Sequence, residues 1–204
     1  MKLLRADDSV SFSCESRSSP DFYSKTPFGS NGVFFQLPEI SRQMLLILIG
    51  LSGSGKNFVG EILAREFDFY FWDADIDIPQ NMREQIYKKE FLSQKMRDEF
   101  TENIIRKIAE LKIKHPKLVI SQALYKERNR HQIALAYPDA QFIHVVSNKK
   151  NINDRLQQRN NWVDQTYADK ISMHFENPHK IDATITNNSD ATAIILQLHG
   201  LLRL

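Results

Sequence analysis

The stretch "LLILIGLSGSGKNFVGEIL", Leu45–Leu63, decides the fold. Five apolar residues run into Gly50, a turn of small residues follows with Gly53 and Gly55, and beyond Lys56 the apolar positions Val59, Ile62 and Leu63 recur at helical spacing. A strand that turns through glycines into a helix aims successive backbone N–H groups inward, and the helix adds the positive end of its dipole. A polyphosphate fits such a turn without any side-chain charge. The spacing G-x-x-x-x-G-K is met at Gly50, Gly55 and Lys56, with Ser52, Gly53 and Ser54 between them. Residues 50–57 are therefore expected to cradle phosphates, Lys56 reaching the β- and γ-phosphates. The last position of the pattern, normally Ser or Thr, holds Asn57. A hydroxyl there supplies Mg2+ with a neutral oxygen from a short arm; an amide oxygen also ligates a hard cation, but from one atom further out. Three outcomes stay open: the amide replaces the hydroxyl imperfectly, water replaces it, or metal-assisted transfer is lost.

The 204 residues suit one α/β domain with some excess, and 27 Lys and Arg against 25 Asp and Glu give no dedicated nucleic-acid surface. Small-molecule ligands, anions among them, remain. No apolar run approaches the roughly 20 residues of a membrane span. Residues 1–20 carry Asp7, Asp8 and Glu15 with no apolar core, unlike a secretory signal. The expectation is a cytoplasmic protein with no membrane partner, a monomer or homodimer. The lone Cys14 has no internal disulfide partner and fits a reducing compartment.

Residues 1–43 are rich in serine, with Pro20, Pro27, Pro38, Gly29 and Gly32, and show no sustained period of 2 or 3.6 residues. This reads as a poorly ordered extension. Met44 opens directly onto the first strand, which makes it an alternative native start; the patch "GVFFQL" (Gly32–Leu37) reads instead as an edge strand or a docking segment. From Met44 to the end at 204, short apolar runs alternate with amphipathic stretches, the pattern of a parallel sheet covered by helices. The predicted strands are Leu45–Ile49, Phe69–Trp72, Leu118–Ser121, Gln141–Val146 and Ala183–Thr186. The predicted helices are Lys56–Phe67, Ser93–Lys112, Glu127–Ala136, Asn151–Arg159, Gln165–Phe175 and Ala191–Leu202, with a further piece around Met82–Lys89.

"YFWDADIDI" places Asp73, Asp75 and Asp77 just beyond the second strand, where open α/β sheets gather their ligands. Strand alternation sends Asp73 and Asp75 to one side. Asp73 then orients the metal shell, and Asp75 accepts the proton of an acceptor hydroxyl held in line with the γ-phosphate. Alone, the same residues read as a solvated acidic turn capping a helix near Pro79. Arg155 and Arg159 lie four residues apart in a helical pattern, one turn apart on one face, a geometry that clamps phosphates or simply solvates both. Trp162 reads equally as lid or packing residue. "NNSD" (Asn187–Asp190) caps the last helix through Ser189 or Asp190. The six histidines show no metal-ligand spacing.

The loop "GLSGSGKN", the acidic "DAD", "SQALYKERNR" (Ser121–Arg130) after the third strand and "RLQQR" (Arg155–Arg159) after the fourth stand in the order of the gluconokinase and shikimate kinase group, which the chain resembles from about Met44 to Ile195. The resemblance implies a P-loop NTPase of the adenylate-kinase-like kind: a five-stranded parallel sheet flanked by helices, with a short lid at "QRNNWVDQ" (Gln158–Gln165). It implies an ATP- and Mg2+-dependent small-molecule kinase acting on a hydroxyl of a sugar acid or similar polar metabolite. Asn57 and Asp73 fall on the metal, Arg155 and Arg159 on the nucleotide, and Arg97, Lys126 and Arg128 on the acceptor with Asp75. Two rivals stand beside it, a nucleotide-binding relative without turnover and a nucleoside or nucleoside-monophosphate kinase. The chain departs from gluconokinases where the acceptor is read: Gln122-Ala123-Leu124-Tyr125 stands for their Ser-Ala-Leu-Lys, "LSQKMRD" keeps Arg97 but loses the acids before the long helix, and Asn177 displaces an expected acid. The glycine-rich run that shikimate kinases carry after the third strand is absent.

Overall fold

The computed structural model describes residues 43–158 and 163–202. The readings of residues 1–42, of Arg159 and of Trp162 lie outside the described residues. Five strands, β1 (Met44–Ile49), β2 (Tyr70–Asp73), β3 (Lys117–Ser121), β4 (Gln141–Val146) and β5 (Ala183–Thr186), form one sheet in the order β2-β3-β1-β4-β5. Every pairing is parallel. The helices are α1 (Lys56–Phe67), α2 (Gln80–Tyr87), α3 (Gln94–Lys114), α4 (Glu127–Ala136), α5 (Lys149–Gln158), α6 (Gln165–Ser172) and α7 (Ala191–Leu202). The α/β fold with a five-stranded parallel sheet expected from the sequence is the one observed.

β1 is central, both its edges paired, with Leu46 opposite Val119 of β3 and Gln141 of β4, and helices cover both its faces, so it reads as an unbroken apolar run. Leu45, Ile47 and Ile49 join Ile104 and Ile108 of α3 and Ile133 of α4 in one layer. Leu46 and Leu48 join Val59, Ile62 and Leu63 of α1 and Ile194 and Leu198 of α7 in the other. Burying each such side chain contributes about 1.5–3 kcal/mol. The strand order turns about β1, whose neighbours β3 and β4 lead away in opposite directions, and open α/β sheets bind their ligands at the carboxyl edge of that position.

Several boundaries shift by one to three residues from expectation, and three differences have local reasons. Ser93 is the N-cap of α3 rather than its first residue, its hydroxyl accepting the Met96 N–H at 3.2 Å. A 3-10 turn, Ala74–Asp77, follows β2 because the Asp73 carboxylate accepts the Asp75 N–H at 3.0 Å. Helix α6 stops at Ser172, which lets Phe175 turn back onto Tyr125 and His144. Of the two expected caps of α7, Asp190 is the one that accepts the Ala193 N–H, at 3.0 Å.

Candidate active site

The loop between β1 and α1 holds Gly50, Gly53 and Gly55 at φ of +145°, +83° and +91°. A Cβ on Gly50 would lie 2.4 Å from the Val145 carbonyl oxygen, and one on Gly55 would lie 2.0 Å from Asn187 Nδ2. Space and φ therefore both demand glycine at these two positions. Lys56, the first residue of α1, is buried and folds its ammonium back over the loop, donating to the carbonyls of Gly50 at 3.1 Å and Leu51 at 3.0 Å. The Ser54 side chain is buried away from the loop's open side, so Ser54 serves the loop through its backbone.

A cavity of about 430 Å3 opens over this loop. Ser52, Gly53, Gly55, Lys56 and Asn57 line one side, and Asp73, Asp75 and Arg83 line the other. Asp73 and Asp75 do meet there, but the 3-10 turn brings them together rather than strand alternation, and Asp77 turns away to accept from Trp72 Nε1 at 3.1 Å. The Asn57 amide is part of a short network: its Nδ2 donates to Asp73 at 2.5 Å and its Oδ1 accepts from the Ser121 hydroxyl at 2.5 Å. Gln122 Nε2 donates to Asp75 Oδ1 at 2.8 Å. Ser121 and Gln122 close β3 at the sheet's carboxyl edge. Their position marks them for a site more clearly than their residue types do.

Arg155 sits behind the loop and does not line the cavity. Its Nη1 donates to the carbonyls of Gly53 and Ser54 at 3.3 and 3.2 Å, and its Nη2 to the Asn187 carbonyl at 3.0 Å. Asn187, on the turn after β5, adds a bond from Nδ2 to the Ser54 carbonyl at 3.0 Å. The side chain expected to clamp phosphates thus braces the loop that would hold them.

A second, smaller cavity of about 100 Å3 adjoins the first, with Ser52, Asp75, Ala123 and Val163 lining both. Arg97 of α3 reaches this pocket, and among the described residues its guanidinium makes no hydrogen bond or ion pair. Burial lowers its pKa, partly opposed by Tyr167, Tyr125 and Glu176. Lys126 and Arg128, expected beside it, line neither cavity. Lys126 pairs with Glu176 at 2.9 Å, and the exposed Arg128 pairs with Asp98 at 3.2 Å. The cause is the backbone: Leu124 adopts φ +41°, which turns Tyr125 inward and leaves Lys126 pointing out at the start of α4.

Tyr125, which stands where gluconokinases carry lysine, presents its hydroxyl 3.1 Å from Ser52 Oγ and accepts the Ser52 N–H at 3.4 Å. Burial pushes its pKa up, so the phenol keeps its proton. Glu176 fixes this loop, its N–H donating to the Tyr125 carbonyl at 2.9 Å while its carboxylate accepts the Glu127 N–H at 2.7 Å. Tyr125 stands out in the sequence only as a departure from the family pattern, and Arg83 carries no signal there, since only the folded chain turns it toward the cavity.

A glycine-rich cradle at the carboxyl end of the central strand of such a sheet defines a P-loop nucleotide-binding protein. The chain belongs to the AAA_33 family (AAA domain), whose model matches residues 45–178. Among solved structures it is similar to a sugar kinase from Janibacter sp. HTCC2649, at a TM-score of 0.69 and 16% identity over 79% of this chain and 95% of that one. A gluconokinase from Sinorhizobium meliloti 1021 gives 0.67 and 19% over 79% and 93%. A shikimate kinase from Bacteroides thetaiotaomicron gives 0.55 and 16% over 79% and 99%. At these identities the likeness establishes the fold, that of small P-loop kinases. No curated protein matches the sequence.

Proposed function

We propose that the protein is an ATP-dependent kinase of a small hydroxylated acid. One observation carries the reading: Asp75 stands at the junction between a cavity floored by the phosphate loop and a pocket reached by Arg97. The γ-phosphoryl group belongs in the first, over Lys56 and the loop N–H groups; the acceptor belongs in the second. Its hydroxyl oxygen attacks the γ-phosphorus, its proton passes to Asp75, and the bond to the β-phosphate oxygen breaks to release ADP. Lys56 exchanges the carbonyls of Gly50 and Leu51 for phosphate oxygens, which carry more charge. Such chemistry belongs in the ATP-holding cytoplasm and needs no nucleic acid, membrane or second subunit.

Asp73 and the Asn57 amide offer hard oxygen donors at the cavity wall, which suits Mg2+, since it is usually held by one or two carboxylates together with substrate phosphates and water. The Asn57 oxygen keeps a lone pair beyond the one that Ser121 uses. Asp73 and Asn57 would hold such a cation beside the phosphate loop, where its positive charge would help neutralise the charge developing on the transferring phosphoryl group.

The test is ATP binding by calorimetry with and without Mg2+, then ADP release with a panel of hydroxy acids. Lys56→Ala should abolish both; full binding by that variant overturns the phosphate-loop reading. A second reading, nucleotide binding without turnover, is favoured by the engagement of the Asn57 amide with Asp73 and Ser121. Asn57→Thr separates the two. In a kinase with a weakened metal site the hydroxyl raises kcat or lowers the Mg2+ concentration required; in a binding protein ADP release stays at background. The small acceptor pocket argues against a nucleoside as acceptor.

A further inference from the structure

The pocket beside Asp75 has a composition that the proposed kinase function leaves unexplained. Its walls are largely hydrocarbon, from Ile78, Met82, Ile86, Leu92, Phe100 and Ile171. Most of its polar groups are already committed to protein partners. Gln122 donates to Asp75 and accepts the Ala123 N–H; Tyr167 donates to the Glu90 carbonyl; the Tyr125 hydroxyl is engaged with Ser52. Thr101 donates to the Arg97 carbonyl and accepts from Asn129, whose amide also donates to Asp98 and Gln132. Arg97 is the exception, a guanidinium facing the pocket with no hydrogen bond or ion pair among the described residues.

We infer that the acceptor is a hydroxy acid with a hydrocarbon body of a few carbons, its carboxylate on Arg97 and its single reacting hydroxyl at Asp75, and not a polyhydroxylated sugar acid. A polyol would bury hydroxyls against Ile78, Met82 and Ile86, where no partner awaits them, and each unpaired hydroxyl weakens binding. A hydrocarbon body gains by the same contacts. The planar fork of arginine matches a carboxylate with two parallel bonds, and one such group satisfies it. The size agrees: an apolar cavity of about 150 Å3 takes benzene, and this pocket, at about 100 Å3, takes a smaller body whose hydroxyl reaches into the shared mouth. The inference rests on the kinase reading and sharpens its acceptor.

The test compares two six-carbon acids that differ in four hydroxyls, 2-hydroxy-4-methylpentanoate and gluconate. Each is titrated by calorimetry into the full chain loaded with Mg2+ and the non-hydrolysable β,γ-imido analogue of ATP. The branched acid should bind at least about 100-fold more tightly. Arg97→Met should weaken binding of the branched acid by at least about 10-fold and leave analogue affinity unchanged. Its Tm should stay level or rise, because a half-buried guanidinium with no hydrogen bond or ion pair among the described residues has been taken out. The neutral amide of the branched acid should bind wild type and variant alike, a result that a merely structural arginine does not give. Gluconate binding as tightly as the branched acid, or neither acid binding to the loaded protein, overturns the inference while the kinase reading stands. If the ATP analogue itself fails to bind, the kinase reading falls first and this inference with it.

Discussion

Arg155 ties three backbone carbonyls, those of Gly53, Ser54 and Asn187, to one guanidinium. Removing it takes a donor from each. Asn187 Nδ2 still reaches the Ser54 carbonyl and Ser147 Oγ the Asn187 carbonyl, but the Gly53 carbonyl loses its bond beneath the phosphate loop. Arg155→Ala should therefore cost about 1–3 kcal/mol of stability and weaken ATP binding together. A phosphate clamp would behave differently, losing kcat with the unfolding midpoint unchanged, and denaturant titration beside steady-state kinetics separates the two. His144 on β4 gives a residue-scale prediction in pH. Burial lowers its pKa from 6.5, with Arg130 and Lys56 adding to the shift. The folded protein therefore holds the imidazole neutral at pH values where the unfolded chain binds the proton. Its contribution to stability is full above 6.5 and declines as pH falls below that value. Urea midpoints measured from pH 7.5 to 5.5 should fall more steeply for wild type than for His144→Asn; parallel curves would remove His144 from the account.

At the scale of elements, Gly60 sets two rules against each other. It lies inside α1, where alanine gains about 1 kcal/mol of helix propensity. Yet a Cβ there would stand 2.3 Å from the Phe71 ring of β2. Overpacking of this kind costs about 1–3 kcal/mol, so Gly60→Ala should be net destabilising, and the double variant Gly60→Ala with Phe71→Leu should recover the helix gain. A single variant more stable than wild type would show that the ring moves aside freely. All five strands and most helix cores were legible in the sequence because a doubly covered parallel sheet leaves apolar runs of strand length between stretches of helical period. The 3-10 turn after β2 was not legible, since its cause is one side-chain bond, Asp73 to the Asp75 N–H, that alternation ignores. The true end of α6 was hidden for a related reason. Phe175 continues the helical pattern in sequence but belongs to a contact with Tyr125, fifty residues away in the chain.

At the scale of the molecule, the phosphate loop was readable because its residues are consecutive, whereas the acceptor pocket gathers α2, α3, the turn after β3 and α6 from across the chain. The family resemblance puts Arg97, Lys126 and Arg128 on the acceptor alike, and only the fold separates them. Lys126 and Arg128 pair with Glu176 and Asp98 outside the pocket, whereas Arg97 lines it with no hydrogen bond or ion pair among the described residues. The same assembly predicts where the protein moves. The sheet is held by two large apolar layers, but Ile86 of α2 packs with Tyr167 and Ile171 of α6 and with Tyr125 in a separate small cluster beside the pocket. Polar contacts at the rim join the same two helices: Lys89 pairs with Asp164 at 2.5 Å, and Lys170 donates to the Lys89 carbonyl at 2.7 Å. Exposed ion pairs of this kind contribute little, so α2 and α6 should open at lower free energy than β1, β3 and α3. Nucleotide alone, bound over residues 50–57, should slow hydrogen exchange in the loop and the start of α1. An acceptor lying between Met82, Ile86 and Ile171 adds apolar contacts to both helices at once and should slow α2 and α6 together. Hydrogen-exchange mass spectrometry of the free, nucleotide-bound and doubly bound protein measures this in one series. Protection that rises in α2 and α6 only with the second ligand identifies these helices as the part that closes over the acceptor. Protection already at the level of β1 in the free protein would mean that the pocket is rigid and preformed.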